Sequence, residues 1–136
     1  MKNIDVIVIG GGAVGFFSAI NIKELNPDLS ITIFEQSKDL LGKVRISGGG
    51  RCNVNNSIWE PKELIKNYPR GEKELLGPYN KFACGDTMAW FEERGVPLKI
   101  EEDGRVFPTS NTSESIINCF LSKARDLSIA IKTQSK

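Results

Sequence analysis

The hydrophobic pattern at the start of the chain predicts a strand, a turn, a helix and a second strand. Ile4–Ile9 is an almost unbroken run of β-branched residues, typical of a strand buried on both faces of a parallel sheet. After a glycine-rich turn, apolar residues recur with a helical period as far as Leu25, and Pro27 marks the helix end. Ser30–Phe34 predicts another buried strand. Together these elements form a βαβ unit, whose crossover is almost always right-handed.

A long irregular loop is predicted after the second strand. Gln36–Asn56 is rich in glycine and has neither a helical nor a strand period, and such long loops are usually functional or disordered. Short helical pieces are predicted over Pro61–Asn67 and Asn80–Cys84. A longer helix is predicted to be capped by Asp86 and to run through Arg94.

A small β-hairpin is predicted in the second half of the chain. Leu98–Glu102 and Arg105–Phe107 have strand-like composition and flank Asp103-Gly104. This dipeptide is favoured in a two-residue type I′ turn, which needs a positive φ at both of its residues. The hairpin is therefore expected to turn at these two residues.

The last part of the chain predicts a helix followed by a strand. Asn111 or Thr112 would cap the helix, and apolar positions from Ile116 to Leu127 fall on one of its faces. Ser128–Thr133 predicts a third parallel strand. The sequence thus predicts the α/β class, with a partial Rossmann-like parallel sheet, helices on its faces and a small β-hairpin.

Composition narrows the class of protein further. The 136 residues have the length of one domain, and 18 Lys and Arg against 17 Asp and Glu give a net charge of +1. This balance does not favour nucleic acid or a membrane surface as a partner, because both select basic surfaces. Since histidine is absent, a Ser-His-Asp triad and a His-ligated zinc are excluded and no metal site is predicted. The three cysteines are far apart, which favours a reducing cytoplasm.

A glycine fingerprint follows the first predicted strand. Gly10, Gly12 and Gly15 have the G-x-G-x-x-G spacing, in which the glycines make the turn, admit a pyrophosphate against the backbone, and let helix and strand pack closely. Glu35 ends the second strand, where its carboxylate can accept hydrogen bonds from ribose hydroxyls. A turn that needs glycine only for packing is the alternative. The strand, helix and acid together favour a dinucleotide site.

A second glycine-rich cluster occupies Lys43–Asn53. Three consecutive glycines with polar neighbours make a backbone that can lie against a flat or phosphorylated ligand. A flexible surface loop is the alternative, since loop glycines are common. The position of the cluster, shortly after Glu35, favours a binding role. Cys52 could pack as a small apolar residue or act as a redox thiol, although a disulfide would need a partner nearer than Cys84.

These motifs resemble those of a bacterial family of FAD-dependent oxidoreductases. The family includes aminoacetone-oxidase-like and bile-acid-reductase-like flavoproteins of the glutathione-reductase-like class with two dinucleotide-binding domains. The resemblance rests on Gly10–Gly15, Glu35, Lys43–Asn53 and Glu102–Ser110, and it covers nearly the whole chain. It implies an FAD enzyme with NAD(P)H as a candidate electron donor and a small-molecule substrate. Asn55 departs from the family pattern, which more often has threonine there.

The resemblance also implies a set of cofactor contacts. The first glycine run would hold the FAD pyrophosphate and the acid would hold the adenosine ribose. The second cluster would approach the pyrophosphate, the ribityl chain or the flavin edge. No catalytic residue follows from it. The residues expected to bind the cofactor are Gly10, Gly12, Ala13, Val14, Gly15, Glu35, Gln36, Lys43, Ser47, Gly48, Gly49, Gly50, Arg51, Cys52 and Asn53.

Family members continue with a middle domain and a C-terminal segment that returns to the sheet. By resemblance, residues 1–136 are therefore expected to be the N-terminal part of an FAD/NAD(P)-binding domain, inactive by itself. Two alternatives stay open: the NAD-binding domain of a dehydrogenase, which Glu35 fits equally well, and a non-catalytic nucleotide-binding module. The run Ser47–Asn53 favours FAD over NAD.

Overall fold

The computed structural model describes residues 3–136, so residues 1 and 2 of the predicted domain lie outside the described part. The strands are β1 (Val6–Ile9), β2 (Ile31–Phe34), β3 (Asn55–Asn56), β4 (Leu98–Ile100), β5 (Arg105–Pro108) and β6 (Ala130–Lys132). The helices are α1 (Ala13–Leu25), α2 (Gly42–Ile46), α3 (Pro61–Leu64), α4 (Glu72–Tyr79), α5 (Cys84–Glu92) and α6 (Glu114–Asp126). Short 3-10 turns at Ser47–Gly50 and Ile65–Asn67 directly follow α2 and α3.

A parallel sheet of β1, β2 and β6, in that order, confirms the predicted βαβ unit and the α/β class. In its register Val8 pairs with Ile33, and Ile33 pairs with Ile131. The last strand is shorter than the predicted Ser128–Thr133, because Ser128 has a positive φ of 56° where the chain leaves α6.

The core lies between one face of this sheet and two long helices. Val6 and Val8 on β1 and the buried Ile33 on β2 face α1 and α6. Phe16 of α1 packs against Phe120 of α6, with ring centroids 6.0 Å apart. Helical periodicity therefore gave the buried face of α6 correctly. In α1 it gave the buried Phe16 and Ile20, but the apolar Val14 and Leu25 are 81% and 87% exposed.

The opposite face of β1 is open to solvent. The side chains of Ile7 and Ile9 are 57% and 81% exposed. The prediction that this strand is buried on both faces is therefore wrong, because the described part of the chain places no element over these two side chains. Their β-branched character reflects the strand conformation, which such residues favour whether or not both faces are buried.

A second, antiparallel sheet has the order β3-β5-β4 and contains the predicted hairpin. Its turn differs from the predicted type I′ form. The N–H of Gly104 donates to the carbonyl of Glu101, and only Gly104, with φ of 81°, has a positive φ in the turn. Glu101 then pairs with Arg105 across a three-residue loop, the arrangement in which glycine follows a type I turn.

The predicted irregular stretch Gln36–Asn56 is partly wrong, because it contains α2, a 3-10 turn and β3. The helical piece predicted over Asn80–Cys84 is also wrong, since residues 80–83 link α4 to α5 and Cys84 begins α5. Pro78 lies inside α4 and obscured its pattern in the sequence.

The ends of the later helices refine two capping predictions. Asp86 lies in the first turn of α5 rather than before it, and its carboxylate accepts a hydrogen bond of 2.7 Å from the N–H of Ala83. That helix ends at Glu92, two residues before the predicted end. At α6 the Thr112 hydroxyl accepts from the N–H of Glu114 at 3.3 Å, so Thr112 and not Asn111 bonds to the helix start.

Candidate functional site

The first glycine run closes the carboxyl ends of β1 and β2. The N–H of Gly10 donates to the carbonyl of Phe34 at 2.7 Å. The carbonyl of Gly11 accepts a 2.9 Å hydrogen bond from the N–H of Leu41, which is buried. The turn is therefore fixed to the end of β2 on one side and to the loop before α2 on the other.

Two glycines of the fingerprint have different surroundings. A Cβ atom on Gly15 would lie 2.0 Å from the carbonyl oxygen of Gly10, so helix and turn can approach this closely only with glycine. A Cβ atom on Gly12 would meet no atom within 4 Å. Gly12 therefore presents bare backbone to open space, directly before the first residue of α1.

The start of α1 provides donors without competing acids. The first hydrogen bond within the helix runs from the N–H of Phe16 to the carbonyl of Gly12, at 3.1 Å. The amides of Ala13, Val14 and Gly15 therefore have no acceptor within the helix. Since the first turn contains no acidic residue, the positive end of the helix dipole is available to an anion.

Glu35 lies at the end of β2 and bonds to the glycine turn. Its Oε2 accepts from the N–H of Gly11 at 2.7 Å, and its Oε1 accepts from the N–H and the hydroxyl of Ser37, each at 2.8 Å. The backbone bond from Ser37, followed by that from Gly11, lowers the pKa of the carboxyl below its ordinary value. A carboxylate offers about four acceptor positions, so about one of them is left for a ligand hydroxyl.

These elements line an open cavity of about 710 Å³, here named the glycine groove. Of the residues expected to bind a cofactor, it is lined by Gly10, Gly12, Ala13, Val14, Gly15, Glu35, Gln36 and Lys43. The lining also includes residues that sequence reasoning missed, namely Val8, Ile9, Gly11, Ser18, Ser37, Asp39, Leu41, Gly42 and Val44. The G-G-G triplet at 10–12 was the signal available for Gly11.

The second glycine cluster forms a tight turn after α2. Gly48, Gly49 and Gly50 have φ values of 57°, 67° and 86°, a run of left-handed conformations that glycine adopts without strain. The N–H of Cys52 donates to the carbonyl of Ser47 at 2.9 Å and closes the turn. Gly48 also lacks room for a side chain, since its Cβ would lie 2.7 Å from the backbone nitrogen of Asn53.

An apolar crevice of about 450 Å³ lies beside this turn. Ser47, Cys52 and Asn53 form one wall, and the other walls include aromatic side chains from α1, α5, α6 and the segment that links α4 to α5. The crevice shares Ala13, Val14, Lys43 and Val44 with the glycine groove. The two cavities therefore adjoin along the start of α1 and α2.

Cys52 is a buried wall of the crevice. Its side chain is 6% exposed, and burial raises the pKa of its thiol above the ordinary value. The three cysteines are free and buried. A protonated thiol is a poor nucleophile, so Cys52 has the character of a packed apolar residue.

Other residues of the cluster face elsewhere. Gly48, Gly49, Gly50 and Arg51 line neither cavity. The guanidinium of Arg51 forms a 2.6 Å ion pair with Glu101 and stacks over the ring of Phe107, with its carbon 3.9 Å from the ring centroid. The structure therefore places Arg51 at the joint between the turn and the second sheet.

The described residues were searched for a metal site and for a membrane-spanning helix. Residues 3–136 contain no cluster of His, Cys, Asp or Glu side chains that could hold a metal ion. Within the same range, no helix is long and apolar enough to cross a membrane.

A parallel sheet whose first strand runs through a glycine turn into a helix, with an acid at the end of the neighbouring strand, defines a dinucleotide-binding Rossmann domain. The profile of the family described as HI0933-like protein Rossmann domain matches residues 4–136. The chain belongs to this family.

Relatives of the chain carry different names. A 3-dehydro-bile acid delta(4,6)-reductase of Clostridium scindens is 27% identical over 126 residues, which are 93% of this chain and 30% of the relative. A ribosomal RNA dihydrouridine synthase of Haemophilus influenzae is 32% identical over 101 residues, which are 74% of this chain and 24% of that protein. The chain thus spans less than a third of the length of these two relatives.

A solved structure shares the fold. A 3-ketosteroid-delta4-(5alpha)-dehydrogenase from Rhodococcus jostii, in complex with 4-androstene-3,17-dione, superposes with a TM-score of 0.63 at 14% identity. The match covers 98% of this chain and 39% of that one. These findings confirm the Rossmann fold and the resemblance to bile-acid-reductase-like flavoproteins that the sequence motifs indicated.

Proposed function

We propose that this chain is the FAD-binding domain of a flavin-dependent oxidoreductase. The observation that supports it most is that the glycine groove adjoins the apolar crevice. FAD needs both environments, because its diphosphate requires backbone donors and its flavin is a large, mostly apolar ring system. FAD supplies the hydride or electron transfer when it is bound, while the protein orients it and tunes its electronics.

The glycine groove fits the adenosine diphosphate part. Gly12 leaves open space next to its backbone, and the amides of Ala13 and Val14 would donate to phosphate oxygens. Lys43 is exposed at the point where the two cavities meet, where its charge would offset that of the phosphates.

Glu35 fits the adenosine ribose. The carboxylate has about one acceptor position left for a ribose hydroxyl. Its negative charge would repel a 2′-phosphate, so FAD or NAD fits here better than NADP. Next to Glu35, an open cavity of about 480 Å³ lined by Phe34, Gln36 and Ser135 would take the adenine.

The apolar crevice favours FAD over NAD. Its walls include Phe17, Phe82, Phe91 and Phe120, which suit the flavin better than the small, charged nicotinamide. Ser47, Cys52 and Asn53 would lie along the ribityl chain or the flavin edge. The predicted residues that line neither cavity, Gly48 to Arg51, would act by shaping the second glycine turn.

The two curated relatives are named for a bile acid and for ribosomal RNA, so shared descent supports a cofactor rather than one substrate. For this protein we propose a small-molecule substrate, because a net charge of +1 provides little attraction for RNA. Binding of a structured RNA to the natural gene product, with a steep salt dependence, would contradict this part of the proposal.

Cofactor identification tests the proposed function. The natural gene product is purified, its visible spectrum is recorded, and the small molecule released on denaturation is identified by mass spectrometry. We expect a flavin spectrum and a released mass equal to that of FAD. Release of NAD would contradict the proposal, and so would a protein that does not bind one equivalent of added FAD. Anaerobic mixing of the FAD-loaded protein with NADH and with NADPH would then identify the electron donor.

A further inference from the structure

Ser113 is a buried polar residue that bonds to both ends of the second glycine turn. It is 3% exposed and lies directly before α6. Its hydroxyl donates to the carbonyl of Arg45 at 3.0 Å, and its N–H donates to the carbonyl of Gly50 at 2.8 Å. These two carbonyls belong to the end of α2 and to the last glycine of the turn.

The segment between these two bonds has little regular structure of its own. The 3-10 turn that follows α2 is interrupted at Gly48 and Gly49, which have left-handed rather than helical backbone angles. Its closing bonds run from Arg51 to Gly48 at 3.4 Å and from Cys52 to Ser47 at 2.9 Å. Three successive glycines have many accessible conformations, so an outside contact is needed to select one.

The start of α6 supplies that contact from outside the turn. Besides the two bonds of Ser113, Glu114 forms an exposed ion pair with Arg45. These contacts join residues that are more than sixty positions apart in sequence. Ile116 of the same helix lines the apolar crevice, so α6 sets the crevice wall and the position of the turn together.

We infer that Ser113 is a positioning residue for cofactor binding, acting through the carbonyls of Arg45 and Gly50. It holds the turn in the one conformation that puts Ser47, Cys52 and Asn53 along the apolar crevice. The claim that Ser113 affects cofactor binding rests on the proposed function. The claim that Ser113 holds the turn concerns the free protein alone.

The test compares Ser113→Ala with Ser122→Ala in the natural gene product. Ser122 lies within α6, and its exposed hydroxyl donates to the carbonyl of Asn118 in the same helix, so it is a matched control. Amide hydrogen exchange of the free protein is measured first. We expect the Cys52 amide to exchange about tenfold faster in Ser113→Ala, with core amides of α1 unchanged, because one bond that holds the turn is lost.

FAD titration of the same proteins follows, with thermal unfolding recorded alongside. We expect Ser113→Ala to weaken FAD binding about tenfold and to alter the visible spectrum of the bound flavin, while Ser122→Ala behaves as the wild type. Glu114→Gln removes the exposed ion pair between α6 and Arg45, and it should act in the same direction to a smaller extent. If Ser113→Ala does not fold, Glu114→Gln is tested in its place, by the exchange of the Cys52 amide, the FAD affinity and the flavin spectrum.

A purely structural role for Ser113 gives a different pattern. Faster exchange spread evenly over the whole core, with unchanged FAD affinity and an unchanged flavin spectrum, would overturn the inference. If the wild type itself binds no FAD, the proposed function fails. The exchange of the Cys52 amide still decides whether Ser113 positions the turn.

Discussion

Glu35 accepts a 2.7 Å hydrogen bond from the backbone N–H of Gly11, 24 positions earlier in the chain. The acid at the end of β2 therefore holds the glycine turn at the end of β1. A Cβ atom on Gly11 would lie 2.5 Å from Cδ2 of Leu40 and 3.1 Å from the Cβ of Glu35, so a side chain there would force its neighbours to shift. The group proposed to recognise the ribose also fixes the backbone proposed to receive the diphosphate.

Glu35→Gln should therefore weaken FAD binding by about an order of magnitude or more, through the turn as well as the ribose. The glutamine oxygen can still accept the hydrogen bond from Gly11. The uncharged amide has one oxygen fewer, so it cannot also accept both bonds from Ser37 and a bond from a ribose hydroxyl. Titration of FAD into the variant measures the change. Glu102→Gln, an exposed acid in the hairpin turn, is the control. Equal affinity in the two variants would remove Glu35 from the site.

The same carboxylate should make stability fall in acid. Its pKa is lowered in the folded protein from an ordinary value of 4.5, mainly by the hydrogen bonds from Ser37 and Gly11. A depressed folded pKa contributes stability above the unfolded value, and this contribution is lost as the pH falls through the folded pKa. Thermal unfolding at several pH values below about 5 should show a smaller acid loss for Glu35→Gln than for the wild type. Parallel curves would contradict the assignment.

Two glycines of the fingerprint should separate folding from binding. Gly15→Ala puts a Cβ 2.0 Å from a backbone oxygen that cannot move freely, so it should lower the free energy of unfolding by about 1–3 kcal/mol or more. Gly12→Ala meets nothing within 4 Å, and its φ of −93° suits alanine, so stability should be unchanged. Its methyl group would instead occupy the place that we propose for the diphosphate. Chemical denaturation and FAD titration measure the two effects, and loss of stability in Gly12→Ala would contradict this division.

The parts of the fold that were predicted correctly have local signals. The βαβ unit follows from the run Ile4–Ile9, the helical period to Leu25 and the second strand, all within a short stretch. The glycine spacing and Glu35 likewise located the glycine groove and about half of its lining residues, because the acid ends the strand that pairs with β1.

The parts that were missed depend on distant contacts. The position of Arg51 is set by Glu101, fifty residues later, and by Phe107 on β5, which nothing near Arg51 in sequence indicates. The two-residue strand β3 exists only because it pairs with β5. Exposure of Ile7 and Ile9 was missed because a β-branched run looks the same whether one or both faces are covered.

The joint at Arg51 should couple energetically to Glu101. Both side chains are partly exposed, at 33% and 26%, so the ion pair is screened and its coupling should be about 1 kcal/mol. A double-mutant cycle with Arg51→Gln and Glu101→Gln, followed by chemical denaturation, measures that coupling directly. If Arg51 serves the joint, FAD affinity should change less in Arg51→Gln than in Glu35→Gln. A larger effect on FAD than on unfolding would instead indicate direct contact with the cofactor.

The contact between α4 and the turn after α3 can be tested by titration. The hydroxyl of Tyr79 donates to that of Tyr68 at 2.6 Å, and this bond raises the pKa of Tyr79 to about 12. The chain contains only these two tyrosines, so tyrosinate absorbance in Tyr68→Phe reports Tyr79 alone. Its pKa should fall towards the ordinary value of 10. Circular dichroism must show that the variant is folded across the titration, and an unchanged pKa of about 12 would mean that the two hydroxyls are not bonded in solution.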